Sequence, residues 1–202
     1  MANENAKLED LLWGAAEFLR GQIDASDYKQ YVFPLLFFKR LSDVYDDELE
    51  DAKKEMGTDD LFGFLQFHRF EIPSEASWKT VKETTQDIGK AIQTALRTIE
   101  AKNERLAGVF GDAQWTNKER LPDHLLKDLI GHFSKIDLGL HKVKQDDLGQ
   151  AYEYLIKKFA DDSGHTAAEF YTNRTVVHFM TRIIELKPGE TAYDPTCGTG
   201  GM

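Results

Sequence analysis

Apolar residues recur at helical spacing along most of the chain, and the breaks between the runs fall at glycine, proline and capping residues. Leu8, Leu11, Leu12, Ala15, Ala16, Phe18 and Leu19 predict an amphipathic helix over residues 8–20, with Gly21 as its stop. Asp24, Ser26 and Asp27 are cap residues before a second run, Tyr28 to about Glu55. The first half of that run (Tyr31, Val32, Phe33, Leu35, Leu36, Phe37, Phe38, Leu41) is apolar almost all round, the pattern of a helix central to a bundle. Pro34 is expected to kink or restart it, because proline removes a helical donor and clashes with the preceding turn. The second half is acidic and reads as a solvated face.

Gly57 to Gly63 reads as a loop, and Leu65 to Ile72, before Pro73, alternates enough to predict a short strand. His68 stands alone there, with no second ligand at metal spacing, and reads as a surface or hydrogen-bonded histidine. Helical period returns from Trp78 to Leu106 through Ile88, Ala91, Ile92, Ala95, Leu96 and Ile99, closed by Gly108 and Gly111. Residues 112–121 are polar and read as irregular; Pro122 suits a first helical position before a short helix, His124 to Phe133. Gly139 breaks the pattern between Lys135 and Lys144, where a domain boundary is expected. Asp146 and Asp147 then open a helix carrying Leu148, Ala151, Tyr152, Leu155, Ile156 and Phe159. A last helix, Arg174 to Leu186, has Thr172 as its cap and Val176, Val177, Phe179, Met180, Ile183 and Ile184 on its apolar face. Lys187-Pro188-Gly189 turns the chain into a strand ending at Asp194.

Composition narrows the function. The chain has 202 residues, enough for one or two domains, and 41% are hydrophobic, enough for a sizeable core. The formal net charge of −10 repels a phosphate backbone, so tight DNA binding by this chain alone is not expected. The one cysteine rules out a disulfide framework or a cysteine-based zinc site within the chain and fits a cytoplasmic protein. No apolar run approaches the length of a membrane span, and the first residues do not read as a signal peptide.

The chemistry concentrates at the end. Thr191-Ala192-Tyr193-Asp194-Pro195-Thr196-Cys197-Gly198-Thr199-Gly200-Gly201 runs from strand-forming residues through an acid into three glycines, the order of a strand that ends in a ligand loop. A phosphate-binding P-loop is excluded, because Gly-Gly-Met stands where Gly-Lys-Ser/Thr is needed. A dinucleotide fingerprint stays open, with two of its three glycines present. Cys197 has no adjacent histidine base and reads as a small packed residue.

Asp194-Pro-Thr-Cys-Gly-Thr-Gly-Gly201 resembles the Asp-Pro-x-x-Gly-x-Gly-Gly loop of DNA N6-adenine methyltransferases, which binds S-adenosylmethionine. Upstream, Glu169-Phe170-Tyr171-Thr172-Asn173-Arg174 is similar to the Phe-Tyr-Thr-Pro-Arg segment that the same family places about twenty residues earlier, against the cofactor's methionine end. Asn173 stands where that family has proline, which removes a pre-set φ but leaves the Thr172 cap. Residues 31–43 and the helix at 8–20 resemble the helical domain of the modification subunits of type I restriction-modification systems.

The resemblance spans the chain and implies a mostly α fold: a helical bundle domain over residues 1–140, then the start of a Rossmann-like α/β methyltransferase domain over 145–202. It implies a fragment, because the family's Asn-Pro-Pro-aromatic motif needs adjacent prolines and none occur here. No residue present is therefore expected to be catalytic, and no metal site is expected. The cofactor-binding set implied is Glu169, Phe170, Tyr171, Thr172, Asn173, Arg174, Asp194, Gly198, Thr199, Gly200 and Gly201. The implied full-length activity is methyl transfer from S-adenosylmethionine to N6 of adenine. The implied partners are a DNA-specificity subunit, a restriction subunit and, through the assembled complex, duplex DNA. A non-enzymatic helical interaction module and a nucleotide-cofactor oxidoreductase are the competing classes. The 202-residue chain alone is expected to show no measurable affinity for S-adenosylmethionine by calorimetry, because one strand without neighbours cannot shape the loop, and tight binding would refute this.

Overall fold

The computed structural model describes residues 2–24, 27–57, 68–162, 172 and 174–197. Among these residues seven α-helices carry the fold: α1 (Ala2–Leu19), α2 (Tyr28–Met56), α3 (Trp78–Glu83), α4 (Ile88–Lys102), α5 (Asp123–Phe133), α6 (Gln145–Asp162) and α7 (Arg174–Ile184). Gly21 and Gly57 take φ of +83° and +64° and end α1 and α2 as the sequence predicts; the Gly57 amide closes back onto the Lys53 carbonyl.

The apolar half of α2 lies at the centre, with α1, α3, α5 and α6 packed against it. Tyr31, Val32, Leu35, Leu36 and Phe38 are buried on its several faces, which is why its sequence is apolar almost all round. The helix runs through Pro34 without restarting. A proline inside a helix costs about 3 kcal/mol, whereas burying one large apolar side chain returns about 1.5–3 kcal/mol. Two such neighbours, Leu35 and Phe38, outweigh it.

α1 lies between α5 and α6. Gly14 makes room for the His132 ring, which donates from Nε2 to the Leu11 carbonyl at 2.7 Å. α6 turns Ala151, Leu155 and Phe159 into the same core, and Tyr152 packs on Phe33 with ring centroids 4.3 Å apart.

Two sequence expectations are corrected. The single helix expected from Trp78 to Leu106 is two helices, divided at Thr84–Asp87, with a short 3-10 turn at Glu104–Leu106. Asp87 sits at φ +52°, and the carboxylate of Asp123 accepts from the amides of Asp87 (3.0 Å) and Ile88 (2.9 Å), so α4 starts where α5 supplies its cap. The strand expected over 65–72 is irregular from His68 to Ile72, and Leu65 to Phe67 lie outside the described residues. The Asn103 side chain there accepts from the Glu71 amide and donates to the Glu71 carbonyl, both at 2.8 Å, taking the place of a neighbouring strand. Residues 112–121 are irregular as expected, and they contribute to the core. Trp115 and Leu121 are buried, as is Phe110 just before them, and Trp115 meets Tyr31 edge to face at 5.2 Å.

Gly89 permits that last contact, since a Cβ there would lie 2.0 Å from the Trp115 carbonyl oxygen, while Gly131 in α5 faces open space. Gly89→Ala is expected to destabilise the fold by about 3 kcal/mol. Gly131→Ala should stabilise it by about 0.5–1 kcal/mol. Denaturant unfolding of both variants, compared with the parent chain, checks the pair.

Candidate functional site

The segment that carries the sequence's candidate chemistry begins at Thr172, which is exposed at the entry to α7. α7 has an apolar face, but only Val177 is buried. Seven of the nine large apolar side chains exposed among the described residues lie between Val176 and Tyr193, including Phe179 (65% exposed) and Ile183 (63%). A contiguous apolar face of that kind marks a surface that packs against something else. Glu185, at φ +47°, follows the helix, and a reverse turn follows in which the Glu190 amide donates to the Lys187 carbonyl at 3.1 Å.

Residues 191–194 then run irregularly to Asp194. The strand expected there is not formed, because a strand needs a ladder partner and none lies beside it among the described residues. Asp194 is half-buried, and its Oδ1 accepts from the Thr196 amide at 2.8 Å and from the Thr196 hydroxyl at 3.3 Å. Pro195 has no amide hydrogen, so the carboxylate reaches past it to the next donor and closes an Asx turn. Both of Thr196's contacts fall on Oδ1; Oδ2 has no partner among the described residues. Cys197 is exposed rather than packed, contrary to the sequence expectation.

Of the expected site residues, Thr172 and Asp194 are described. Glu169, Phe170, Tyr171, Asn173, Gly198, Thr199, Gly200 and Gly201 lie outside the described residues, as does the side chain of Arg174. His68 is not at the surface: its side chain is 1% exposed, stacked on Tyr45 at 3.8 Å, with Nδ1 3.3 Å from Glu48 Oε2. Its Nε2 is buried without a hydrogen-bond partner. No group of three or more candidate metal ligands occurs among the described residues, and no helix there is long and apolar enough to cross a membrane.

The sequence reading overlooked a charged cluster on α2. Lys39 and Arg40 are buried, and Lys39 pairs with Asp43. Burial pushes the Arg40 guanidinium below its usual range and the Asp43 carboxyl above its own. The signal was present, since charges inside a run that is apolar almost all round cannot all reach water.

Residues 8–133 match the family described as HsdM N-terminal domain. The chain belongs to the HsdM family. Residues 143–202 match the family described as N-6 DNA Methylase. A similar relative is the type I restriction enzyme MjaIX methylase subunit of Methanocaldococcus jannaschii, 30% identical across 97% of this chain and 38% of its own length. The MpnII methylase subunit of Mycoplasma pneumoniae is 26% identical across 96% of this chain and 43% of its own. Among solved structures, the type I restriction-modification system methyltransferase subunit from Streptococcus thermophilus superposes with a TM-score of 0.75 at 27% identity. That match covers 98% of this chain and 48% of that one. The chain thus spans less than half the length of these relatives. The mostly helical fold with an N-terminal M-subunit domain, read from the sequence, stands, and the methylase names favour it over the oxidoreductase and interaction-module readings.

The exposed face of α7 should make the 202-residue chain bind a hydrophobic dye such as ANS. Phe179→Glu with Ile183→Glu is expected to reduce that fluorescence at least about twofold while leaving the midpoint of bundle unfolding within about 2 °C. A large loss of stability would show that these residues pack within the chain.

Proposed function

We propose that this chain is the N-terminal part of a type I modification subunit that transfers a methyl group from S-adenosylmethionine to N6 of adenine in duplex DNA. The observation that carries the proposal is the Asp194 turn, which lies within the stretch matching the N-6 DNA methylase family and leads into the three glycines of residues 198–201. The donor set suits the cofactor. In this reading Asp194 fixes the turn through Oδ1, its Oδ2 accepts from a ligand's ammonium, and the glycines that follow in sequence supply amide donors that carry no Cβ. In this reading residues 169–174 line the same pocket from the methionine end of the cofactor.

The cofactor brings an activated methyl group on a sulfonium. The protein's own contribution is orientation and electrostatics. Its target amine is inaccessible inside a stacked duplex, so the adenine must be extruded. Residues 1–140 serve as the partner-binding domain and 145–202 open the methyltransferase domain; a net charge of −10 suits contact with protein better than with DNA. A DNA-specificity subunit and a restriction subunit complete the complex, through which duplex DNA is held. The cytoplasm is the compartment such an assembly would occupy.

Calorimetric titration of the full-length subunit with S-adenosylmethionine tests the reading, and absence of heat at about millimolar cofactor overturns it. Asp194→Ala is expected to weaken binding by at least about tenfold, the worth of a charge-assisted hydrogen bond. Asp194→Asn separates the two roles: near-parent affinity assigns the residue to the turn alone, and affinity as poor as the alanine variant assigns it to the ammonium.

A further inference from the structure

The turn that joins α5 to α6 is held by a row of side chains on α2, the central helix. Arg40 Nη1 donates to the carbonyl of Leu138 and to those of Gly139 and Val143, the last two at 2.9 Å. One turn along α2, Asp43 accepts from the Leu138 amide at 2.7 Å while pairing with Lys39. A further turn along, Asp47 accepts from the His141 amide at 3.4 Å, and beyond it Asp51 Oδ2 lies 2.9 Å from His141 Nε2. Gly139 has no side chain where one would collide, since a Cβ there would lie 2.2 Å from Asp47 Oδ2 and 2.8 Å from Asp47 Cγ. Leu138 is fully buried beneath this row.

This is more grip than a tether between two domains needs. A flexible connection is exposed and polar, and leaves its main-chain groups to water. Here a segment of six residues, Leu138 to Val143, gives three carbonyls to one guanidinium and two amides to two carboxylates, all from one helix. Taking Arg40 and Asp43 out of water costs free energy, so apolar residues would have served stability as well. What the charge adds is a fixed direction: one guanidinium nitrogen, Nη1, shared among three carbonyls draws the chain to a single point, which an apolar patch does not.

We propose that Arg40 is the pin of a rigid joint, which fixes the path of the chain from α5 into α6 and so the position of α6 against the rest of the bundle. The match to the N-6 DNA methylase family begins at residue 143, within this joint. Arg40 is therefore a positioning residue, whose consequence for methyl transfer rests on the function proposed above.

The test uses the complete subunit with its companion subunits and three variants: Arg40→Lys, Gly139→Ala, and Gly139→Ala combined with Asp47→Ala. Lysine keeps the charge on a side chain one atom shorter, so its nitrogen falls short of the Nη1 position that meets all three carbonyls. Hydrogen exchange at the Leu138 and His141 amides is expected to speed up by at least about tenfold in the first two variants, with the α4 amides unchanged. The double variant removes the collision and should return Leu138 to within about threefold of the parent. Methyl-transfer turnover should fall with the joint and recover with it, while the dissociation constant for S-adenosylmethionine stays within about twofold, because the cofactor loop is untouched. Parent-like exchange in both single variants overturns the proposal. So does equal loss of protection in α4, which would mean general destabilisation, or full turnover with a loosened joint. A parent subunit that neither binds the cofactor nor methylates would sink the functional reading, and exchange and rescue would still decide the joint. Should Arg40→Lys fail to fold, the two Gly139 variants decide it.

Discussion

A helix surrounded on nearly every side must find a partner for each polar atom it carries inward, and α2 is such a helix. Its apolar half fills the centre through Val32, Leu35 and Phe38, and the next turns place Lys39, Arg40, Ser42 and Asp43 where water does not reach freely. Each is answered from outside the helix or along it. Lys39 meets Asp43 and lies over the Trp78 ring, Ser42 accepts from the Trp78 amide at 3.3 Å, and Arg40 takes the carbonyls of the α5–α6 connection. The places where α3 begins and where α6 departs are thus set by the polar needs of α2. Packing alone would leave both free to slide.

The helices were legible in the sequence because their apolar stripes are long and their stops are glycines that take positive φ, as Gly21 and Gly57 do. What was not legible depended on contacts distant in sequence. The break before α4 is made by Asp123, a residue of another helix. The absence of a strand near Ile72 is made by the Asn103 amide, and the burial of Trp115 by the missing side chain of Gly89. Of the kink or restart that Pro34 forecasts, the restart does not occur, because the surrounding core holds the helix continuous.

At the candidate site the sequence carried more than the fold did. The Asp-Pro-Thr order foretold a loop, and the structure resolves it into an Asx turn in which Thr196 meets one carboxylate oxygen, the other having no partner among the described residues. The strand leading into it could not be judged from one segment, because strand formation belongs to a pair of segments. The apolar residues of α7 tell the same story: their pattern is that of a helix pressed against a sheet, and within the described residues only Val177 is covered.

The cap on α4 also bears on how the chain is made. Asp123 reaches the amide of Ile88 across 35 residues, and Asp87 accepts a left-handed backbone on α4's first turn with Lys118 as its counter-ion. During synthesis α4 leaves the ribosome before the acid that fixes its first turn exists outside the tunnel. That cap is therefore gained only once α5 has emerged.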